Sequence, residues 1–147
     1  MKINMIDVSA KESIPRTATA EGRIVLKSNT LEKIKNNQIK KGDPLIVAEI
    51  AAINAVKETP RIIPLCHQIT ISGIETNFEI NDDSIMARVT VRAVAKTGTE
   101  MEAIVGVNTA LATIWDMVKY LEKDENGQYP HTLIEKVRVV KKTKNEP

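Results

Sequence analysis

The chain has 147 residues, of which 42% are hydrophobic and 27% charged, and its net charge is +2. This length and balance predict one globular domain over 1–147 and exclude an intrinsically disordered chain. The single cysteine, Cys66, and an N-terminus without a long apolar run lead us to expect a cytoplasmic protein. The balanced charge does not favour a nucleic-acid partner, and no apolar stretch is long enough to predict a membrane span.

The first half of the sequence predicts one strand followed by two helices. Apolar and polar residues alternate over 17–27, which is typical of a half-buried strand. Polar residues at 28–30 offer N-caps for a short helix over 31–36. A second helix is predicted to begin at Pro44 and to end before Pro60. The apolar residues along one side of this helix are Ile46, Ile50, Ile53 and Val56.

The second half predicts a hairpin, a long helix and a last strand. These elements are a strand over 69–80, a turn over 81–84, a strand over 85–93, a helix over 100–123 and a strand over 133–141. Thr99 and Glu102 have the spacing of a capping box at the start of the long helix. The two ends, about 1–15 and 142–147, are predicted to be flexible. The order of elements predicts an α+β, ferredoxin-like sandwich with an antiparallel sheet and helices on one face.

The long helix predicts that the protein is an oligomer. Its core-facing residues are Ile104, Val107, Leu111, Ile114, Val118 and Leu121. The residues on its other side are also small or apolar: Val105, Gly106, Thr109, Ala112 and Thr113. A helix without a charged side is usually covered all round, so we expect a second subunit to cover this side. The alternative is a weakly polar helix that faces water.

The acidic residues of the long helix lie too far apart to share one site within one chain. Glu102 and Asp116 are separated by about 21 Å on a straight helix. A second copy of the helix packed antiparallel would bring Glu100 and Glu102 of one subunit near Asp116 and Lys119 of another. The sequence therefore predicts a site between subunits.

Two groups of polar residues are candidates for chemistry. Asp116 and Lys119 could act as proton acceptor and donor if desolvation moved the pKa of the lysine toward neutrality, but such pairs also occur as ordinary surface ion pairs. Glu100 and Glu102 could equally stabilise a helix N-terminus. Cys66 and His67 are adjacent and point to opposite sides of an extended segment, so we expect Cys66 in the core and His67 facing a pocket. One cysteine and two histidines do not favour a zinc site or a cysteine protease.

The motifs taken together resemble a known family. They are Met5-Ile6-Asp7-Val8-Ser9, Lys41-Gly42-Asp43, Pro64-Leu65-Cys66-His67, the segment 96–103 and Trp115-Asp116-Met117-Val118-Lys119. In this order they resemble the MoaC family, the cyclic pyranopterin monophosphate synthases of molybdenum cofactor biosynthesis. The resemblance implies a lyase that converts 3′,8-cyclo-7,8-dihydro-GTP to cyclic pyranopterin monophosphate with release of pyrophosphate. It also implies a homohexamer, a trimer of dimers, with active sites between subunits.

The resemblance also implies roles for individual residues. The catalytic residues would be Asp116, Lys119 and Lys41. The substrate-binding residues would be Leu65, Cys66, His67, Glu100, Met101, Glu102, Lys57 and Arg16. No cofactor or protein-bound metal is expected, although Mg²⁺ could accompany the triphosphate. The tail after residue 141 lacks the glycines common in the family, and there Lys142 or Lys144 could supply a phosphate contact.

Two other functions fit the predicted fold. An RNA-binding module would need aromatic residues at alternating strand positions, and the four aromatics do not have this arrangement. They are Phe78, Trp115, Tyr120 and Tyr129. A regulatory or structural subunit would share the fold and the assembly without depending on Asp116 and Lys119.

Overall fold

The computed structural model describes residues 1–145. The elements are β1 (Ile14–Val25), α1 (Ser28–Lys35), α2 (Pro44–Ile62), β2 (Ile71–Ile80), β3 (Ser84–Ala95), α3 (Glu100–Glu122) and β4 (Leu133–Lys144). All strand pairs are antiparallel, and the order in the sheet is β2-β3-β1-β4. This arrangement confirms the predicted α+β, ferredoxin-like fold.

The core lies between the sheet and its helices. Alternate residues of the central strands point toward the helices, and the register pairs buried Ala20 of β1 with buried Val89 of β3. Leu111 and Ile114 of α3 are fully buried against this face. The opposite face of the sheet carries polar pairs such as Thr19 and Thr90, whose hydroxyl oxygens lie 2.8 Å apart. Period-two alternation in the strands therefore decides which face is covered.

Helix α2 continues past the proline that was expected to stop it. Pro60 lies inside the helix, which ends at Ile62, so the prediction of an end before Pro60 is wrong. The proline removes only its own amide hydrogen bond, and the backbone N–H of Ile63 still donates to the carbonyl of Thr59 at 2.9 Å. Thr59 is fully buried, so tertiary packing holds this last turn in place.

The buried side of α2 is lined by small residues, not by isoleucines. Its buried residues are Pro44, Ala48, Ala52, Ala55, Val56 and Thr59. In contrast, Ile46 and Ile50 are 61% and 56% exposed. A methyl group added at Gly106 of α3 would lie 3.0 Å from Val56, which shows that the two helices approach closely here. The alanines of α2 permit this approach, and the larger isoleucines are left on the outside.

Helix α2 also covers part of the side of α3 that was expected to face another subunit. Val105 and Gly106 are buried within the chain, so the prediction of a second subunit over these two residues is wrong. The residues of α3 that remain exposed form a narrower line: Asn108, Ala112, Asp116 and Tyr120. This line, with the partly exposed residues beside it such as Thr109, Thr113 and Lys119, is the part of α3 available for contact outside the chain.

The helix N-termini differ from the predicted caps. Thr99 precedes α3, but its hydroxyl donates to the carbonyl of Val91 at 3.0 Å, so the predicted capping box with Glu102 does not form. Helix α1 begins at Ser28 and has no side-chain cap. Thr30 lies inside this helix and donates to Glu122 at 2.5 Å. Tertiary hydrogen bonds have replaced the local ones in both places.

The two ends of the chain contact the body of the protein. Residues 1–13 form no helix or strand. At the other end Lys142 and Lys144 lie in β4, where they pair with Ala18 and Arg16 of β1, whereas residues 146–147 of the predicted flexible tail lie outside the described residues. Over the part of the chain that the structure describes, no helix has the length and apolar character needed to cross a bilayer.

Candidate active site

The candidate residues form two clusters at opposite ends of α3. The acid-base cluster consists of Lys41, Asp116 and Lys119. The buried-carboxylate cluster consists of Cys66, Glu100, Glu102 and Lys142, and His67 follows Cys66 in the chain. Glu102 and Asp116 lie fourteen residues apart on an unbroken helix, about 21 Å along its axis, so the prediction that one chain cannot join them is confirmed.

Two lysines flank one carboxylate in the acid-base cluster. The ammonium of Lys41 lies 3.1 Å from Oδ2 of Asp116, and that of Lys119 lies 3.0 Å from Oδ1. Lys41 also donates to the backbone carbonyl of Asp116 at 3.3 Å. All three side chains are about half exposed, so a ligand can reach each of them.

The charges of this cluster stabilise the ionised forms. Hydrogen bonds and charge from Lys119 and then Lys41 lower the pKa of Asp116, and the carboxylate raises the pKa of Lys119. The expected shift of Lys119 toward neutrality is therefore wrong for the single chain, because its carboxylate partner outweighs desolvation. In this arrangement Asp116 is an ionised acceptor and Lys119 a protonated donor.

The turn before α2 brings Lys41 to α3. Gly42 has a φ of 117°, a conformation that is costly for other residues. Asp43 then caps α2, since its side chain accepts hydrogen bonds from the amides of Leu45 and Ile46. The Lys41-Gly42-Asp43 motif therefore has a local structural reason, and Lys41 is placed opposite Asp116 by the start of the next helix.

Glu102 is the centre of the buried-carboxylate cluster. Glu102 is only 1% exposed, and its Oε1 atom has no hydrogen-bond partner among residues 1–145. The thiol of Cys66 lies 3.7 Å from Oε2. Burial, together with the nearby charge of Glu100, raises the pKa of Glu102. A carboxyl group in these surroundings is disposed to be protonated or to accept a hydrogen bond from a ligand.

Cys66 is part of the same environment and is not activated. Burial and the charge of Glu102 raise the pKa of the thiol to about 11. A thiol with a raised pKa is a weak nucleophile at neutral pH. Its half-buried position differs from the predicted place in the core, and its thiol lies against the carboxyl group of Glu102.

Glu100 joins the C-terminal strand to the start of α3. Its Oε2 lies 3.2 Å from the ammonium of Lys142 on β4. The carboxylate folds back over Gly98, where an added methyl group would lie 2.5 Å from Oε2. Met101, the next residue of the helix, is half buried.

His67 faces a cleft, as predicted. A cavity of about 390 Å³ is lined by His67 together with residues of the N-terminal segment, of β3 and of the turn after it, and His67 and Leu65 also line a neighbouring hollow. The Nε2 atom of His67 lies 2.5 Å from the carbonyl oxygen of Ile6. The N-terminal segment therefore borders the cleft and occupies one hydrogen-bonding position of the imidazole.

The two remaining basic residues lie outside both clusters. Arg16 is buried, and its guanidinium donates to the carbonyls of Ala95 at 3.0 Å and Lys96 at 3.2 Å. These bonds fix the turn that precedes α3. Lys57 is exposed on α2 and lines a small hollow with Arg61 and Gln68.

Three residues near the candidate site had no site role assigned from the sequence, although two of them, Asp7 and Lys96, lie in the motifs of the family resemblance. Lys96 donates to the carbonyl of Ser9 at 3.3 Å, and Asp7 accepts two hydrogen bonds from Ser9. Tyr120 accepts a hydrogen bond from the backbone of Lys40. The Asp-x-Ser spacing was a signal for a local turn. Nothing in the sequence indicated that this turn lies beside His67.

Among the described residues, the structure shows no cluster that could hold a metal ion. Within residues 1–145, no three His, Cys, Asp or Glu side chains lie close enough to hold a metal ion. In the candidate site, the carboxylates of Asp116 and Glu100 instead pair with lysine ammonium groups, and Glu102 is buried.

The fold and the two clusters define a ferredoxin-like α+β protein with acid-base groups at both ends of one helix. The chain belongs to the MoaC family, whose model matches residues 5–145. A relative from Thermococcus kodakarensis, named probable cyclic pyranopterin monophosphate synthase, is 55% identical over 144 residues, covering 98% of this chain and 92% of the relative.

Two further relatives carry similar names. One from Methanosarcina mazei, also named probable cyclic pyranopterin monophosphate synthase, is 52% identical over 145 residues, covering 99% of this chain and 92% of the relative. One from Methanothermobacter thermautotrophicus, named probable cyclic pyranopterin monophosphate synthase accessory protein, is 54% identical over 144 residues, covering 98% of this chain and 91% of the relative.

Proposed function

We propose that this chain is a cyclic pyranopterin monophosphate synthase, a lyase that converts 3′,8-cyclo-7,8-dihydro-GTP to cyclic pyranopterin monophosphate and releases pyrophosphate. The observation that carries the proposal is the acid-base cluster, in which Asp116 lies between Lys41 and Lys119. The family membership and the names of the relatives support the choice of substrate.

The acid-base cluster has the groups that such a rearrangement needs. Remaking a purine as a pyranopterin requires protons to be removed and delivered at several ring positions. Asp116 is held ionised and can accept a proton, while Lys119 is held protonated and can donate one. The second lysine, Lys41, supplies another positive charge and stabilises the negative charge that develops as pyrophosphate leaves.

The buried-carboxylate cluster fits a binding role. Glu102 presents an unpaired oxygen in a desolvated position, which suits the N–H groups of a nucleobase-derived ring. His67 contributes a second polar group at the cleft, and Lys142 is a nearby cation for a phosphate. Lys57 and Arg16 would add positive charge. We propose that the protein needs no cofactor of its own, and that any Mg²⁺ arrives on the triphosphate.

The two clusters would form one site only in an oligomer. We propose a homohexamer, a trimer of dimers, in which the acid-base cluster of one subunit faces the buried-carboxylate cluster of another. The large exposed side chains of Ile46 and Ile50 on α2 support an interface, because a water-soluble chain gains free energy by covering such residues. We further propose that the assembly is cytoplasmic.

The test is a complementation experiment with the purified chain. The enzyme alone, given the cyclised nucleotide, is expected to release pyrophosphate. Asp116→Asn and His67→Asn subunits are each expected to be inactive, and mixed oligomers formed by refolding them together should regain part of the activity, since some sites then combine two intact halves. Inactivity of the wild-type chain would overturn the synthase proposal, and mixed oligomers without activity would overturn the shared site.

A further inference from the structure

The segment 36–43 carries Lys41 and connects α1 to α2. Its backbone turns twice through unusual conformations, with φ of 55° at Asn37 and 117° at Gly42. Ile39 is buried in the core, and the amide of Gly42 donates to its carbonyl at 3.1 Å. These contacts fix the middle of the segment but leave Lys41 itself exposed.

Tyr120 ties this segment to α3. Its hydroxyl oxygen accepts a hydrogen bond of 3.1 Å from the backbone N–H of Lys40. The ammonium of Lys40 also lies 5.0 Å from the centre of the Tyr120 ring, within range of a cation–π contact. Among residues 1–145, this is the one hydrogen bond from the backbone of segment 36–43 to α3.

The place of Tyr120 on the helix matches the place of Lys41. Residues four apart lie on the same side of a helix, so Tyr120 follows Asp116 along one exposed line of α3. Tyr120 binds the peptide group between Ile39 and Lys40, and Asp116 accepts a hydrogen bond of 3.1 Å from the side chain of Lys41. Helix α3 therefore contacts the backbone one residue before Lys41 as well as the ammonium group of Lys41.

We propose that Tyr120 is a positioning residue that sets the location of Lys41 relative to Asp116, and that its hydroxyl group is the part that does so. This inference rests on the proposed function, because it assigns Lys41 a place in the reaction. The salt bridge alone leaves the exposed segment free to move, since an ion pair between exposed groups contributes little order. The additional bond to the backbone reduces that freedom before the substrate binds.

The first test is Tyr120→Phe, which keeps the aromatic ring and removes the hydroxyl oxygen. The Lys40 amide is expected to exchange with solvent about three- to tenfold faster, and trypsin should cleave after Lys40 and Lys41 faster by a similar factor, the usual effect of losing one hydrogen bond. The matched control is Thr90→Val, which removes a hydroxyl contact of 2.8 Å with Thr19 on the opposite face of the sheet. This control is expected to leave both rates at Lys40 unchanged.

The second test asks whether the effect passes through Lys41. Tyr120→Phe is expected to lower kcat about three- to tenfold with KM changed less than twofold, because a displaced catalytic group impairs the reaction more than binding. In a Lys41→Met background the same change should have no further effect on kcat. A purely structural role of Tyr120 would instead give independent, multiplying losses, and that result would overturn the proposal.

The failure of this inference can be told apart from failure of the proposed function. If Tyr120→Phe has the same Lys40 amide exchange rate, trypsin cleavage rate and kcat as the wild type, the positioning role is overturned while the synthase activity stands. If the wild-type chain releases no pyrophosphate, the proposed function fails. In that case the exchange rate of the Lys40 amide in Tyr120→Phe still tests the hydrogen bond from Lys40 to Tyr120. An unchanged rate would overturn its positioning role, whereas a faster rate would support it.

Discussion

Helix α3 places two carboxylate sites in opposite surroundings. At its C-terminal end, Asp116 is exposed between two ammonium groups, which lower its pKa. At its N-terminal end, Glu102 is buried, one of its oxygens has no partner in the described part of the chain, and burial raises its pKa. The comparison shows that one helix can hold an ionised carboxylate and one disposed toward the neutral form, because neighbouring charge acts at one end and desolvation at the other.

A third carboxylate on the same helix shows that burial alone does not explain the difference. Glu122 is fully buried, yet its oxygens accept hydrogen bonds from Thr30 at 2.5 Å and Thr132 at 2.7 Å. The backbone N–H of Lys27 donates to it as well, at 3.2 Å. Glu122 therefore links α3 to α1 and to Thr132, the residue before β4, whereas Glu102 keeps one acceptor unpaired among residues 1–145. Hydrogen-bond satisfaction separates the structural carboxylate from the candidate binding group.

The largest effect is expected from Asp116→Asn, which removes the ionised acceptor of the acid-base cluster. Pyrophosphate release should fall by about 10²–10⁴-fold, the usual contribution of a positioned acid or base, with the folded oligomer retained. Glu75→Gln is the matched control, because Glu75 forms an ion pair of 2.7 Å with Arg92 and is as exposed as Asp116. Steady-state kinetics of both variants tests this prediction. Retained turnover in Asp116→Asn would rule out the catalytic assignment.

The second effect concerns stability at Glu122. Glu122→Gln is expected to lower the free energy of unfolding by about 1–3 kcal/mol, because the amide nitrogen cannot accept the hydrogen bonds that reach that oxygen. Glu125→Gln, an exposed neighbour, should change it by less than about 0.5 kcal/mol. Urea unfolding of the two variants measures the difference, and equal midpoints would contradict the role of Glu122 as a link between elements.

A smaller effect of opposite sign is expected at Glu102. Since its folded pKa is raised above 4.5, its contribution to stability is present below pH 4.5 and is lost as pH rises through the folded pKa. Glu102→Gln should therefore be more stable than wild type at pH 8, by about 1 kcal/mol, and the two should converge near pH 4. Thermal unfolding between pH 4 and 8 tests this, and a constant difference would show that Glu102 keeps its ordinary pKa.

The smallest effect is expected from Lys142→Met at the edge of the buried-carboxylate cluster. The substitution removes the ammonium group that lies 3.2 Å from Glu100, so one cation fewer is available to a phosphate. KM should therefore rise about threefold, and the dependence of KM on salt should weaken. Lys141→Met is the control, because alternation along β4 turns Lys141 to the other face of the sheet. Identical KM values in the two variants would remove Lys142 from the site.

Much of the site could be predicted because its signals are local. The motif around Lys41 gave a turn and a helix start, and the spacing of Asp116 and Lys119 gave an ion pair, both of which the structure contains. The position of Lys41 beside Asp116 was not predicted, because 75 residues separate the two in sequence and the family resemblance implied only that both are catalytic residues. The anchoring of Lys40 by Tyr120 had no sequence signal, because it depends on a backbone donor meeting a distant side chain.

By itself, the sequence determined the strands, the helices and their order, because period-two and helical patterns are set by neighbours along the chain. Only tertiary packing decided which side of α2 is buried, since close contact at Gly106 selects alanines over isoleucines. It also carried α2 past Pro60 and replaced the capping bonds expected at Thr30 and Thr99. Those outcomes depend on partners far away in sequence, and hydrophobic patterns do not identify such partners.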